Sequence, residues 1–378
     1  MSKIDEQKVD VLLPHKERFT PQNGGAVSTV VYELARHITA KSNQDITIFG
    51  SMIDAPKDGV SYQGLSYKKP FWQSRNACLA KAYLRFLQTN GRTPSLIEVH
   101  GRPQVAALIA SSRPDLKVVL YLHNDPRTIK ASKTVEQRKR LSQQLAGIIS
   151  ITEFVKGCFL EGLGDEDDYR AQHYVNLLGV ERQKTRPKAR QKQIFIAGRM
   201  VPEKGILEAC QGAVPLLFDR PDWQIILAGG KNFTDTNING SGLSAYERDI
   251  QRALAPLGAR AITLGHQPLA AVKRLQAQSE ICLVPSLWQE PGGLTVLEAL
   301  SAGAALITTN RGGIPEFAKG RALIVDEPSP SAFQTALKAL IDDAARRQEL
   351  QDIAWQDFPF TAKKMSARAA TFRHRLMT

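Results

Sequence analysis

The sequence has little cysteine, and the cysteines that it has are scattered. Four occur in 378 residues, with no CxxC pair and no histidine at metal-ligand spacing. This pattern argues against a zinc site or a disulfide framework and indicates reduced, buried thiols in a cytoplasmic protein. No apolar run approaches the roughly 18 residues needed to span a bilayer. The polar N-terminus MSKIDEQKVD lacks the hydrophobic region of a signal peptide.

Acidic residues are also scarce relative to basic ones. Lys and Arg number 50 against 37 Asp and Glu, which gives a formal net charge of +13. Such an excess indicates an anionic partner, such as a phosphorylated small molecule or an anionic membrane, or a basic surface that serves solubility. Zinc-finger spacing and ribonucleoprotein motifs are absent, and basic residues do not alternate with aromatic ones. We therefore predict no nucleic-acid partner.

What the sequence has is a repeated alternation of short apolar runs and amphipathic segments. The runs are rich in Val, Ile and Leu without strict alternation, which is typical of parallel strands buried on both faces. With helices between them, two such series predict two doubly wound, Rossmann-like α/β domains that face each other across a cleft. The runs are 9–14, 46–50, 96–101, 117–123, 147–152 and 173–178, then 193–199, 223–230, 261–266, 280–286, 305–310 and 322–326.

A basic segment separates the two series. RQKTRPKARQK (182–192) has six basic residues among eleven, no acidic residue and no apolar face. We therefore predict a linker over 183–192, between an N-terminal domain over 1–182 and a C-terminal domain over 193–350. The remaining segment, 351–378, is predicted to be helical and to pack back toward the N-terminal domain.

Ligands of such sheets bind outside the carboxyl ends of the strands, so residues that follow strands are candidates for binding. Gly24-Gly25 follows the first strand and opens a helix, which lets a backbone approach an anion closely. A glycine-rich turn before a helix is the simpler alternative. Arg199 and Lys204 follow the first strand of the second domain, where they suit a diphosphate clamp or are two solvated cations.

A second cluster of candidates lies in QEPGGLTVLEALSAG (289–303). Gly292-Gly293 would begin a helix whose free N–H groups can hold an anion. Glu290 precedes this helix, and Glu298 lies within it among apolar neighbours. Carboxylates accept hydrogen bonds from vicinal hydroxyls, so one glutamate for each of two sugars, with phosphates between them, describes a nucleotide-sugar.

Two blocks of the sequence resemble a known family. GR(x)₃EKG at 198–205 and PSLWQEPGGLTVLEALSAGAALITT at 285–309 are similar to the retaining glycosyltransferases of family 4, which have the two-domain GT-B fold. The second block contains the E-x₇-E motif of that family. The resemblance implies a C-terminal domain that binds a nucleotide-sugar donor and an N-terminal domain that binds the acceptor.

The resemblance also implies roles for single residues. Its donor-binding set includes Gly24 and Gly25 and the backbone of Gly292, Gly293 and Leu294. Glu290 would contact the donor sugar, Glu298 the ribose, and Arg199 and Lys204 the diphosphate. Gly265 and His266 would border the base, His123 would reach the donor sugar from the N-terminal domain, and His100 would line the acceptor cleft. Asn176 would lie in that cleft too, but Leu177 follows it where the family often has glycine.

The expected activity is that of a retaining, metal-independent hexosyltransferase. Arg199 and Lys204 could stabilise the charge of the departing phosphate without a metal or cofactor. A UDP-sugar is the favoured donor and GDP-mannose the next. The acceptor would be a glycan or a lipid-linked molecule of cell-envelope polysaccharide or lipopolysaccharide synthesis.

Three alternatives stay open. The basic segments 67–75 and 137–140 could dock the protein peripherally on the inner face of an anionic membrane, or the acceptor could be soluble. A protein of this fold could also bind a nucleotide-sugar without turning it over. A dinucleotide-dependent oxidoreductase is disfavoured because GxGxxG is absent.

Overall fold

A computed structural model of the chain describes residues 7–21, 24–39, 42–68, 70–164, 170–230 and 242–378. The chain divides into two compact units. Unit 1 comprises Met1–Gly179 with Thr361–Thr378, and unit 2 comprises Val180–Phe360. The division falls slightly before the predicted boundary at 182. The predicted C-terminal segment is split, with 351–360 in unit 2 and the rest in unit 1.

Unit 1, within its described residues, contains a seven-stranded parallel sheet in the order β3-β2-β1-β4-β5-β6-β7. The strands are β1 Gln7–Leu12, β2 Gln44–Ser51, β3 Ser61–Leu65, β4 Leu96–His100, β5 Val118–Leu122, β6 Gly147–Ser150 and β7 Gln172–Val175. The helices are α1 Ala26–Arg36, α2 Arg75–Thr89, α3 Pro103–Ser112, α4 Val135–Gln144, α5 Glu153–Leu160 and the last of the chain, α13 Ala362–Met377.

Local sequence explains where these elements form. Strands β4 and β5 are buried along their whole length, as expected for a parallel sheet covered on both faces. Helix α4 begins with a capping box, in which the Thr134 side chain accepts the Gln137 N–H and the Gln137 side chain bonds back to the Thr134 backbone. Strand β3 was not predicted, because SYQGL lies at the sheet edge, has one buried residue and lacks an apolar run.

Unit 2 contains, within its described residues, a six-stranded parallel sheet in the order β10-β9-β8-β11-β12-β13. The strands are β8 Gln191–Ala197, β9 Gln224–Ala228, β10 Ala261–Thr263, β11 Ser279–Val284, β12 Ala305–Thr309 and β13 Leu323–Val325. The helices are α6 Ile206–Phe218, α7 Ala245–Leu254, α8 Leu269–Gln278, α9 Leu294–Ser301, α10 Ile314–Ala318, α11 Pro330–Ile341 and α12 Ala344–Gln356.

The core of unit 2 lies between this sheet and its helices. Ile194, Ile225 and Leu283 on three strands and Phe333 on α11 are completely buried. Helix α6 approaches α11 so closely that a Cβ on Gly212 would lie 2.3 Å from the Pro330 carbonyl oxygen. Two parallel α/β sheets, each covered by helices, confirm the predicted class of two Rossmann-like domains.

The basic segment 182–192 differs from a free linker. It lies in unit 2, and its last residues begin β8. The Arg190 guanidinium donates to the carbonyls of Ala277 and Ser279 at 2.7 and 3.1 Å, and to those of Ala302 and Gly303 at 2.7 and 2.8 Å. The segment therefore packs through hydrogen bonds to the C-terminal carbonyls of α8 and α9, which an apolar pattern cannot reveal.

Helices α12 and α13 are separated by residues 357–361 instead of forming one helix. Phe358 and Phe360 are buried in unit 2, where the Phe360 ring makes an edge contact with Phe317 at 5.1 Å. Helix α13 packs in unit 1 against α1 and β4. Among the described residues, none of the helices combines the length and hydrophobicity that a bilayer span requires.

Candidate functional site

The candidate site of unit 2 lies where the direction of its sheet reverses. Strand β8 lies between β9 and β11, so the connections from β8 to β9 and from β11 to β12 run to opposite sides. Open α/β sheets bind ligands in the crevice that such a reversal creates at the carboxyl ends of the strands. Loop 198–205 follows β8 and loop 285–293 follows β11. These loops contain five of the predicted donor-binding residues: Arg199, Lys204, Glu290, Gly292 and Gly293.

Backbone contacts hold the two loops together. The N–H groups of Leu287 and Trp288 donate to the Glu203 carbonyl at 2.9 and 3.3 Å. Gly205 has a φ of 64°, and a Cβ there would lie 2.1 Å from the Pro285 carbonyl oxygen. Both the left-handed backbone and the close approach require glycine. The glycine of the EKG sequence therefore fixes the distance between the loops as well as the start of α6.

Lys204 and Glu290 meet across these loops. The Lys204 ammonium forms an ion pair with Oε1 of Glu290, and the Ser286 hydroxyl donates to the same oxygen at 2.8 Å. The two side chains are 27% and 11% exposed, so water screens the pair less than it screens a surface ion pair. From the sequence, the two residues were predicted to bind different parts of a ligand, and Ser286 was not predicted to contribute.

Arg199 lies close to Lys204 in sequence but takes no part in the Lys204–Glu290 ion pair. The residue is exposed. Within the part of the chain that the structure describes, its guanidinium has no hydrogen-bond or ion-pair partner. An unpaired guanidinium at the carboxyl end of a strand can form a bidentate hydrogen bond with an oxyanion without first breaking an internal contact.

The glycine pair precedes the N-terminus of α9. Gly293 has a φ of 125° and immediately precedes the first residue of the helix, Leu294, without a side-chain cap. The Gly313 N–H donates to the Glu290 carbonyl at 2.7 Å and fixes the loop in front of the helix. The first turn contains no acidic residue, so its N–H groups face no carboxylate of their own turn.

Glu298 lies in the second turn of α9 and is half-buried. Within the described residues, its carboxylate has no hydrogen-bond or ion-pair partner. Burial raises the pKa of Glu298 to about 7, and the positive charge of Lys273 offsets part of that effect. A carboxylate of this kind has unused hydrogen-bond acceptors, which vicinal hydroxyls of a ligand could satisfy.

Gly265 and His266 follow β10 at the same end of the sheet. The Gly265 carbonyl accepts the Gly229 N–H at 2.7 Å, and a Cβ on Gly229 would lie 1.8 Å from the Gly198 carbonyl oxygen. Gly265 is buried and His266 is half-buried. A small pocket, formed mainly by apolar side chains and glycines, lies between these strand ends and α7; its lining includes Met200, Leu227, Gly229, Ile250 and Gly265.

In unit 1, the N-terminus of α1 faces a carboxylate of the protein itself. Oε1 of Glu17 accepts the Ser28 N–H at 2.9 Å, and a Cβ on Gly25 would lie 2.4 Å from that oxygen. A Cβ on Gly24 would meet the Ser28 hydroxyl at 2.6 Å. The predicted glycine pair therefore does give close access to the helix terminus, but in this structure Glu17 occupies that position.

His100 and His123 form a buried pair in unit 1. Nδ1 of His100 lies 2.8 Å from Nε2 of His123. Beneath them the Arg373 guanidinium donates two hydrogen bonds to Glu98, at 2.9 and 2.7 Å. Burial by itself raises the pKa of Glu98, but the Arg373 charge and the hydrogen bonds outweigh it and lower the pKa to about 2. Burial lowers the pKa of both histidines, so both are neutral at neutral pH.

Asn176 follows β7 and is completely buried. Its Oδ1 accepts a hydrogen bond from the Arg368 side chain at 3.0 Å, and its Nδ2 donates to the Met365 carbonyl at 3.2 Å. Both ends of the amide therefore bind α13. Asn176 therefore stabilises the position of α13. The prediction for Asn176 named the acceptor cleft and did not include this contact.

Sequence reasoning missed several residues of these clusters. Glu98 lies two residues before His100 in a strand whose other residues are apolar. Because a buried carboxylate needs a partner, Glu98 could have indicated a buried cation nearby. Arg373 carried no such signal, because its contact depends on how α13 packs. Glu17 and Ser286 lie in loops, whose sequences do not reveal which side chains turn inward.

Comparisons with known proteins agree with this architecture. Residues 180–356 match the profile of the family described as Glycosyl transferases group 1. The putative glycosyltransferase YtcC of Bacillus subtilis is 28% identical, over 93% of this chain and 85% of that protein. The lipopolysaccharide 1,2-N-acetylglucosaminetransferase of Salmonella typhimurium is 23% identical, over 79% of this chain and 78% of that protein.

Solved structures show the same fold. HepE from Anabaena, solved in complex with UDP-glucose, superposes with a TM-score of 0.71. It is 15% identical, and the match covers 97% of this chain and 99% of HepE. At this level of identity the likeness concerns the fold alone.

Proposed function

We propose that the chain, whose residues 180–356 match the group 1 glycosyltransferases and whose two domains have the GT-B fold, transfers a hexose or N-acetylhexosamine from a nucleoside-diphosphate sugar with retention of configuration. The observation that carries this proposal is the cluster at the carboxyl ends of β8 and β11. There an unpaired guanidinium and a Lys–Glu ion pair lie on two neighbouring loops, and helix α9, which follows the second loop, provides a free N-terminus and an unpaired carboxylate.

The parts of the donor can be assigned to these groups. The diphosphate is bound by Arg199, Lys204 and the first N–H groups of α9, as their charges require. Glu290 accepts hydroxyls of the sugar, and Glu298 accepts those of the ribose. The base occupies the pocket beside Gly265 and His266. In the absence of donor, Lys204 and Glu290 pair with each other, so donor binding exchanges an internal ion pair for contacts to phosphate and sugar.

The proposed reaction is the one that the resemblance to the retaining glycosyltransferases implies. The bond between the anomeric carbon and the phosphate oxygen breaks, and a bond from the acceptor hydroxyl forms on the same face. The acceptor proton passes to the departing phosphate oxygen. Arg199, Lys204 and the α9 terminus stabilise the charge that grows on this phosphate, a role that does not require a metal ion. We take a UDP-sugar as the first candidate donor and GDP-mannose as the second.

Calorimetric titration tests donor binding. UDP, GDP and ADP are titrated separately into the protein in buffer with a chelator. We expect one of them to bind at micromolar strength and Arg199→Ala to weaken it at least about tenfold, since a charge-assisted hydrogen bond contributes about 1.5–3 kcal/mol. Arg252→Ala is the matched control, because Arg252 is an exposed arginine of unit 2 on α7. If none of the three nucleotides binds, the proposed function is refuted.

Turnover separates the enzyme from a non-catalytic binder of the same fold. The protein is incubated with the matching sugar nucleotide and candidate acceptors, and release of nucleotide is measured together with the mass of the product. The proposal expects release that Glu298→Ala abolishes. Tight donor binding with no release under any acceptor, and no difference between the wild-type protein and Glu298→Ala, would support the binder instead.

A surface feature of unit 1 favours a lipid-linked acceptor. Phe71 and Trp72 are 90% and 70% exposed and form an edge-to-face pair at 4.8 Å. Arg75 follows them at the start of α2, and Lys68 precedes them; Lys69 lies outside the described residues. Exposed aromatic side chains flanked by cations suit the interface of an anionic bilayer. We propose that this aromatic–basic segment contacts the membrane peripherally.

Vesicle sedimentation tests the contact. The wild-type protein should sediment with phosphatidylglycerol vesicles and much less with phosphatidylcholine vesicles. Phe71→Ser with Trp72→Ser should lose this binding while nucleotide affinity stays unchanged. Phe218→Ser is the control, because Phe218 is 65% exposed in unit 2. Equal sedimentation of the wild-type protein and the double variant would favour a soluble acceptor.

A further inference from the structure

A buried polar chain runs through unit 1 from α13 to His123. It consists of Arg373, Glu98, His100 and His123, which are 1%, 0%, 0% and 8% exposed. We propose that Arg373 and Glu98 are positioning residues that, through His100, fix the tautomer of His123. The relation of His123 to catalysis rests on the proposed function, whereas the tautomer itself does not.

The first link of the chain is a carboxylate that is held ionised. Glu98 lies on β4, and the Arg373 guanidinium on α13 binds both of its oxygens. An unpaired carboxyl group in this position would take up a proton to avoid the cost of a buried charge. The bidentate guanidinium removes that need. A fixed negative charge is therefore present beneath the two histidines.

The second link is the orientation of His100. Its Nε2 lies 3.7 Å from the nearer oxygen of Glu98, too far for a hydrogen bond but close enough for a strong electrostatic effect. A lone pair on Nε2 would face this oxygen unfavourably, whereas an N–H would be attracted to it. In the neutral ring the proton therefore resides on Nε2, and Nδ1 is left as an acceptor.

The third link is the contact between the two imidazoles. Since Nδ1 of His100 accepts, Nε2 of His123 must donate across the 2.8 Å between them. His123 is neutral, because burial and the neighbouring His100 lower its pKa. Its remaining nitrogen, Nδ1, is consequently an acceptor, and within the described residues it has no hydrogen-bond partner.

Stacking holds the rings in these orientations. The Tyr121 ring stacks on His100 with centroids 4.6 Å apart and on His123 with centroids 5.1 Å apart. The interplanar angles are 13° and 17°. A ring flip of either histidine would have to displace this aromatic side chain, which is itself fully buried.

The consequence is a fixed acceptor atom on His123. A neutral imidazole with a lone pair on Nδ1 can accept a hydrogen bond from a hydroxyl of the sugar substrate. The opposite tautomer would present an N–H instead and would repel that hydroxyl proton. A change of tautomer alone can lower turnover severely while the geometry stays intact.

The tautomers can be measured without substrate. Two-bond ¹H–¹⁵N correlation spectra of protein labelled at histidine distinguish protonated from unprotonated ring nitrogens, and His100→Gln and His123→Gln assign the signals. We expect Nε2–H on both rings in the wild-type protein at neutral pH. A proton on Nδ1 of His123 would overturn the proposal, whatever the activity of the enzyme.

A charge-free variant tests the causal link. Glu98→Gln with Arg373→Met removes both charges together, since removing one partner alone would leave a buried ion unpaired. We expect a second tautomer of His100 and His123 to appear and kcat to fall by about tenfold or more. The KM for the donor should change by less than about threefold, because unit 2 holds the nucleotide.

The control removes another buried ion pair of the same sheet. Asp10 is 0% exposed and binds Arg92 at 2.6 Å. Asp10→Asn with Arg92→Met should lower the stability of the protein but leave both tautomers and kcat unchanged. If the Glu98/Arg373 variant fails to fold, the wild-type spectrum still decides the assignment.

A combination of variants separates positioning from general damage. In a His123→Ala background, the Glu98/Arg373 substitutions should lower kcat no further, because their effect passes through His123. An equal further loss would refute the positioning role. If the spectra are as expected but no sugar is transferred, the proposed function fails and the tautomer assignment stands.

Discussion

The ionisation of Glu298 gives a prediction whose magnitude can be worked out from the structure. Burial raises the pKa of this carboxyl from 4.5 to about 7. That difference corresponds to roughly 3 kcal/mol of unfavourable free energy for the charged form. Between these pH values the folded protein retains a proton that the unfolded chain releases. Stability should therefore fall as the pH rises from 4.5 to about 7 and stay lower above it.

Glu298→Gln removes this effect, because the amide is neutral at every pH. The variant should equal the wild-type protein near pH 4.5 and exceed it by up to roughly 3 kcal/mol at pH 8. Urea denaturation at pH 5 and pH 8 measures the difference. Glu349→Gln is the control, because Glu349 is an exposed carboxylate on α12 of the same unit.

The affinity for the donor should change with pH in the opposite direction to stability. Hydroxyls of a ribose donate to the ionised carboxylate, so nucleotide affinity should increase through pH 7. At pH 6 about one tenth of the free protein carries the ionised form, which predicts about tenfold weaker binding than at pH 8. Glu298→Gln should bind more weakly at pH 8 and lose this dependence. A stability gain equal at pH 5 and pH 8, or a pH dependence of binding that survives in the variant, would refute the reasoning.

Two further predictions concern the architecture of unit 2. Gly229→Ala should destabilise the protein by at least about 3 kcal/mol, because its Cβ would lie 1.8 Å from the Gly198 oxygen. Gly320→Ala should cost only about 1 kcal/mol, because its φ is 75° but the space around it is open. Urea titration compares the two variants, and similar losses of stability would contradict the close approach at Gly229. Arg190→Met should lower the thermal midpoint by several degrees because five carbonyls lose a charged donor. Lys192→Met removes an exposed ion pair with Asp222 and should change the thermal midpoint little. If Arg190→Met lowered the midpoint no more than Lys192→Met does, the Arg190 contacts would contribute no stability.

The fold was largely predictable because its strands are buried on both faces. Twelve apolar runs were identified in the sequence, and each coincides with a strand of the structure. The edge strand β3 was missed because its polar residues carry no such pattern. Predicting a parallel sheet also predicted that Arg199, Lys204 and Glu290 lie at one end of it, since residues that follow parallel strands share that end.

The contacts between side chains were not predictable in the same way. Nothing in the sequence shows that Lys204 binds Glu290 directly, because that depends on loop paths fixed by Gly205 and the Glu203 carbonyl. The basic segment 182–192 was interpreted as a linker from its charge. Its arginines instead bind carbonyls and a ring: Arg190 binds those at the ends of α8 and α9, and the Arg182 guanidinium lies 4.4 Å from the centre of the Trp355 ring.

Unit 1 is built from two segments of the chain that are separated by all of unit 2. This arrangement has a consequence for the synthesis of the protein. Glu98 leaves the ribosome 275 residues before Arg373, the residue that neutralises it. Until the last helix has been made, the first sheet holds a carboxylate that must either ionise without a partner or stay protonated. Unit 1 therefore completes its folding only after all of unit 2 has been translated. A chain that terminates early would lack this ion pair, and cellular proteases could recognise it by its loosened first sheet.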